Sequence, residues 1–186
     1  MTLLDKHKPC WSTLGFRYEN PKKAIRYFCT PKGAWIFGSL GVDGIHYCTV
    51  PGFGDTVFVV NPSAPDDRYV MPVAENMAMF FSLIHTLHGT QLIDSMIFWS
   101  RDQFDTARTE MMAEEDPQRE QEWQCLCSLC PLTDVEDPYG YVHAQCEHFD
   151  PEKISYTRSY YETLGITSHC GKADDFVSTM IICRKK

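Results

Sequence analysis

The residues best equipped for chemistry crowd one stretch: Cys125, Cys127, Cys130, His143, Cys146 and His148. Two residues separate Cys127 from Cys130, and two separate His143 from Cys146. At that spacing thiolates and imidazoles can grip a single zinc ion. The neighbours argue otherwise. Trp123, Leu126 and Leu129 place Cys127 and Cys130 in an apolar helical setting, where cysteine serves as a small buried hydrophobe. Buried thiols with no metal are therefore the leading reading, and a thiol–metal site using Cys125, Cys127, Cys130, His143 and Cys146 is the alternative.

Nucleophilic chemistry would need a Cys or Ser beside a His, with a third group to orient the imidazole. His46 and Cys48 lie two apart, so on a strand both point to the same face. No orienting partner can be named for them. His169 and Cys170 sit in a Gly-flanked loop and carry an alternative reading as a hydrolase or transferase. Neither a Gly-x-Ser-x-Gly elbow nor a His-Glu-x-x-His pair is present. His85 and His88 share a helical face but have no third ligand nearby in sequence. Glu114, Glu115, Asp116 and Asp150 fall at helix ends, where capping and solvation account for them. Asp43 and Asp55 flank a hairpin strand as turn residues. Gly38, Gly41, Gly44, Gly52 and Gly54 lack the Lys-Ser/Thr or helix context of a phosphate loop and read as turns and bulges. On these grounds no enzyme is expected, and no cofactor.

The elements that must position such residues are organised around Ala34–Asn61. Two runs rich in Val, Ile, Thr, Tyr and Phe, Gly44–Val50 and Thr56–Asn61, flank Pro51-Gly52-Phe53-Gly54-Asp55, which predicts a β-hairpin. Tyr69–Ala74 is predicted extended, with Pro72 restricting it to a sheet edge or strand end. A helix follows from about Asn76 to His88, with Met77, Phe80, Phe81, Ile84 and Leu87 on its core face. Asn76 is its N-cap and Gly89 its stop.

Further along, Leu92, Ile93, Met96 and Ile97 suggest a short helical stripe. Ser100 and Gln103 form a capping box opening a helix that bears Phe104, Ala107, Met111 and Met112. Asp116-Pro117 opens another, running to about Leu129. A strand is expected at Ala24–Cys29, an extended piece at Tyr139–Val142, short helices over Tyr156–Leu164 and a last strand at Phe176–Cys183. The sum is an α+β fold in a single domain over 1–186, with a helical extension from about residue 102.

The 186 residues carry a net charge of −8, which repels phosphate backbones and argues against nucleic acid. No apolar run approaches the roughly 20 residues of a membrane span, so no membrane is expected. The start, MTLLDKHKPCWSTLGF, has no apolar core of the kind an export signal needs, and the nine cysteines read as reduced thiols in a cytoplasm.

Ala34–Asp94 resembles the SUKH superfamily, which includes a yeast regulator of cell-wall synthesis and many bacterial toxin-immunity proteins. The likeness rests on the Gly-punctuated FGSLGVDGIHYCTV, on TVFVVNP with the polar loop after it, and on YVMPVA entering ENMAMFFSLI. It implies a twisted, mainly antiparallel sheet flanked by helices. It also implies a binding role without catalysis: a protein partner, which the acidic charge would make a basic toxin, with this chain as its immunity protein. Asp43, His46, Asp55, Asp66, Asp67 and Arg68 are then the polar residues expected on the binding surface.

Overall fold

The computed structural model describes residues 6–114, 116–129 and 132–166. One open antiparallel sheet holds six strands in chain order: β1 (Cys10–Trp11), β2 (Phe16–Tyr18), β3 (Trp35–Ser39), β4 (His46–Thr49), β5 (Val57–Val60) and β6 (Val70–Ala74). Five helices follow: α1 (Met77–Leu87), α2 (Arg101–Ala113), α3 (Pro117–Leu129), α4 (Pro138–Glu147) and α5 (Arg158–Thr163). This is the α+β architecture expected, with helices after the sheet. Among the described residues no helix is long and apolar enough to cross a membrane.

The predicted hairpin is β4–β5, with His46 opposite Val60 and Thr49 opposite Val57. Alternation along the strands feeds two cores. Phe37, Tyr47, Val57, Val59, Met71 and Val73 face one way, against Phe80, Leu83, Ile84 and Leu87 of α1. Ile36, Cys48, Phe58, Val60 and Val70 face the other, against Cys29, Ala34, Val50 and Ile154. Coverage of both faces is why every residue of β5 and β6 is buried.

Phe80 is the hub of the first core. Its ring meets Phe16, Phe37, Tyr47 and Phe81 at centroid distances of 6.2, 5.7, 4.7 and 5.6 Å. Such offset and edge contacts add to the roughly 1.5–3 kcal/mol from burying a large apolar side chain. Phe16 also lies over Gly38, where a Cβ would sit 2.4 Å from the ring, so only glycine fits beneath it.

The caps match expectation. Asn76 accepts from the Met79 amide at 2.9 Å. Ser100 and Gln103 close their reciprocal box, and Asp116 Oδ1 accepts from the Gln118 amide. Pro72 sits on β6, the last strand in the sheet, and α4 packs against that edge through a Cys146 Sγ bond to the Pro72 carbonyl at 3.5 Å. The turn before β2 is tied to α3 by Glu122, whose Oε2 accepts from the Thr13 amide, the Thr13 hydroxyl and the Leu14 amide.

Three expectations are corrected. Ala24–Cys29 is not a strand. Ile25 and Tyr27 point outward while Cys29 is buried against the second core, so the segment crosses that face instead of joining the ladder. The sheet gains instead β1 and β2, around the Ser12–Gly15 turn. Tyr139–Val142 is helical, because Asp137 caps α4 by accepting from the Gly140 amide and Pro138 fills its first position. Leu92–Ile97 forms consecutive turns, although Leu92, Ile93, Met96 and Ile97 are buried as a helical stripe would bury them. The stop of α1 is also shared: His88, not only Gly89, takes a left-handed conformation, at φ 52°. Phe176–Cys183, like Cys130, His169 and Cys170, lies outside the described residues.

Candidate functional site

The turn joining β3 to β4 is narrow: the Leu40 amide bonds to the Ile45 carbonyl at 3.0 Å and the Ile45 amide to the Val42 carbonyl at 3.1 Å. Asp43 and Gly44 reach this geometry with φ of 53° and 72°. A Cβ at Gly44 would meet the Tyr27 ring at 2.5 Å, so glycine admits the close approach as well as the backbone angle. Tyr27 in turn stacks on His46, with centroids 5.9 Å apart and 24° between the planes.

His46 is 3% exposed, which removes it from the surface where sequence reasoning had placed it. Its Nδ1 lies 2.8 Å from the Gly44 carbonyl and its Nε2 3.2 Å from the Thr30 hydroxyl. A carbonyl only accepts, so Nδ1 carries the proton and Thr30 donates to Nε2. Thr30 Oγ1 also accepts from the Tyr27 amide at 2.8 Å. Burial pushes the imidazole below its ordinary pKa, against the pull of the Gly44 carbonyl. The ring is thus neutral and occupied at both nitrogens.

Cys48 does share the His46 face, as its spacing predicts, but inside the second core. Burial raises its thiol to about 12, and likewise that of Cys29. Thiols at that pKa carry almost no thiolate near neutral pH.

Outside this buried pair lies a cleft of about 250 Å3, bounded by the 24–27 segment, the β3–β4 turn and the ends of β2 and β3. Its rim is apolar. Ile25, Tyr27 and Val42 are 73%, 38% and 55% exposed, and they are three of the four large exposed hydrophobics among the described residues. Its base is polar, with Ser39 Oγ donating to Glu19 Oε1 at 2.7 Å and Arg17 alongside, and the exposed Asp43 joins the apolar groups on the rim. Exposed apolar groups gathered around a few polar ones mark binding surfaces more than scattered ones do.

The remaining expected residues do not all converge here. The register puts the β3–β4 turn and the 61–69 connection at the same end of the sheet, so Asp43 shares that end with Asp66, Asp67 and Arg68. Asp55, in the β4–β5 turn, is at the opposite end. Asp66 and Asp67 have φ of 56° and 58°, Asp67 accepts from the Tyr69 hydroxyl at 2.8 Å, and the Arg68 guanidinium lies 5.0 Å over Phe98. The residues that sequence reasoning passed over are Ile25 and Val42. Their signal was a bulky apolar side chain inside a polar turn or basic segment.

The described members of the cysteine–histidine stretch do not gather. Cys125 is exposed on α3, and Cys127 is half-buried. His143 Nε2 contacts the Met96 carbonyl at 3.0 Å and stacks on Tyr139 at 4.1 Å. Burial raises the Cys146 thiol to about 11. Among the described residues no three His, Cys, Asp or Glu side chains converge as metal ligands would. His85 and His88 do share a face, but it is packed on Trp123, at 5.0 and 4.9 Å.

No protein-family model, curated protein or solved structure matches the chain.

Proposed function

We propose that the chain is a protein-interaction module of SUKH-like type that binds a basic protein, in the manner of an immunity protein holding its toxin in the cytoplasm, and does no chemistry on it. The observation that carries this reading is the gathering of Ile25, Tyr27 and Val42 around one cleft. Tyrosine is among the residues that dominate the energy of protein interfaces, and apolar neighbours such as Ile25 and Val42 exclude water around it. Asp43 on the rim and Asp66 and Asp67 at the same sheet end favour a basic partner, and the net charge of −8 would speed its approach. The nearby His46, Cys29 and Cys48 support a binding role: the imidazole is neutral and fully hydrogen-bonded, and the thiols are held protonated.

Capture from the source cell with immobilised protein tests the reading, using Ile25→Asp and Val42→Asp against Met112→Asp, an exposed apolar site on α2. The expected result is one basic protein retained by the wild type and by Met112→Asp but lost from both cleft variants. Recovery of no specific basic partner, or equal loss from all three variants, would overturn it.

A further inference from the structure

We infer that the basic partner enters the cleft with one arginine side chain, its guanidinium on Glu19 and its stem among Ile25, Tyr27 and Val42. The inference rests on the reading of the chain as the binder of a basic protein, and it names the group that is recognised. At about 250 Å3 the cleft falls below the roughly 300–1,000 Å3 of ordinary small-molecule pockets. It suits a single long side chain.

Its base supplies a carboxylate that is fixed and unused. The Glu19 amide donates to the Phe37 carbonyl at 3.0 Å, and the Ser39 hydroxyl donates to Oε1 at 2.7 Å. Glu19 is only partly exposed, and its second oxygen has neither a hydrogen bond nor an ion pair among the described residues. Arg17 lines the same cleft two residues earlier yet does not pair with it. The Arg17 guanidinium lies instead on Gly41, where a Cβ would meet Nε at 2.8 Å and Cζ at 2.9 Å. His46 does not serve the carboxylate either, because its two nitrogens are committed to Gly44 and Thr30.

Arginine answers each part of this lining. Its planar guanidinium matches a carboxylate and stacks on aromatic rings such as that of Tyr27, and its stem covers apolar surface. It is also, with tyrosine, among the residues that dominate interface energies. Asp43 on the rim adds a second negative group. Among the described residues lining the cleft Arg17 is the one cation, and it opposes the entering charge. Lys22, Lys23 and Arg26 stand on the neighbouring segment but outside the lining, and Arg26 is bound to the Ala34 carbonyl.

NMR titration of the intact chain with N-acetyl-arginine methylamide, read at the Ile25 and Val42 methyl signals, tests it. The lysine, norleucine and glutamate analogues are compared at the same ionic strength. Saturable shifts with the arginine probe are expected, with affinity weakened about tenfold in Glu19→Gln, which keeps an acceptor for Ser39. Arg17→Gln removes the like charge and should tighten binding about two- to fivefold, so a second variant carries the test if Glu19→Gln fails to fold. Absence of saturation with arginine, equal affinity for the lysine or norleucine analogue, or unchanged affinity in Glu19→Gln overturns the inference. So does binding of the glutamate analogue that weakens in Arg17→Gln, which would assign the cleft to a carboxylate. Capture of a basic protein through the cleft without response to the arginine probe keeps the proposed function and overturns this inference; response to the probe with no partner captured does the reverse.

Discussion

The ring of Tyr27 covers the imidazole of His46 and forms one wall of the apolar-rimmed cleft. Beneath it His46 is kept neutral. Its folded pKa lies below the ordinary 6.5, so its contribution to stability is fully present above 6.5 and is lost as pH falls below that value toward the folded pKa. Within that window the unfolded chain binds the extra proton, and stability falls by at most about 1.4 kcal/mol per pH unit from this group. Tyr27→Ala opens one face of the ring to water. The His46 resonance in an NMR titration is expected to move back toward 6.5, and the pH slope of the urea midpoint between pH 5 and 7 to shrink. A His46 titration identical in wild type and variant would refute the coupling.

Glu122 gives a second test, because it joins regions 109 residues apart. Burial pushes its carboxyl pKa up, but bonds from the Thr13 hydroxyl, the Leu14 amide, Gln118 and the Thr13 amide outweigh that and hold it below the usual glutamate value. Its stabilisation is therefore present above about pH 4.5 and fades as acid protonates it. Glu122→Ala leaves two amides of the turn before β2 without their acceptor, and a loss of about 1–3 kcal/mol is expected at pH 7. Glu122→Gln, which keeps one acceptor oxygen, should fall between. Hydrogen exchange of the Thr13 and Leu14 amides supplies the local readout: unchanged protection in Glu122→Ala would mean that the carboxylate does not hold this turn.

Much of the fold was legible because local signals and burial agreed. The apolar runs on either side of Pro51–Asp55 could form only a hairpin, and Asn76, Ser100 and Asp116 announced their helices through cap chemistry. Ala24–Cys29 misled for a physical reason. Its residues are strand-forming, yet β2 already pairs directly with β3, and the segment packs across the second face of the sheet through Phe28 and Cys29. Tyr139–Val142 carries strand-forming Tyr and Val, but Asp137-Pro138 before it is a helix start, and the cap decides the conformation. The site was legible only in part. Asp43 was found from its turn. The inward direction of His46 depended on a ladder register that follows from packing, and the prominence of Ile25 and Val42 on their exposure among the described residues.

Asp94 has the opposite sign to His46. It is 7% exposed beside the first core, and burial raises its pKa, although its own amide, Asn61 and the Ser95 amide pull the other way. A raised acid contributes its full stability below the ordinary 3.8, and that contribution is lost as pH rises through the folded pKa. Asp94→Asn removes the ionisation while keeping an oxygen for Asn61 Nδ2, now at 3.2 Å. The variant is expected to gain on the wild type in denaturant midpoint as pH rises from 4 to 7. A constant difference across that range would show that the ionised form is accommodated without penalty.

Asp137 performs two tasks that substitution can separate. Its Oδ1 accepts from the Gly140 amide at 3.1 Å and caps α4, while both oxygens take Arg101 nitrogens at 2.7 Å. The Arg101 bond, and then the Gly140 amide, hold its pKa at about 2. Its contribution is therefore complete above the ordinary 3.8 and declines as pH drops toward 2. Asparagine caps helices as well as aspartate does, whereas alanine in place of either costs about 1 kcal/mol. Asp137→Asn thus keeps the cap and loses an exposed ion pair, which salt already screens. Asp137→Ala should lower the melting temperature clearly more than Asp137→Asn at pH 7, with the Asn variant losing the acid-dependent part of the wild-type curve. Equal losses in the two variants would assign the stabilisation to the Arg101 pair and leave α4 to start without help from Asp137.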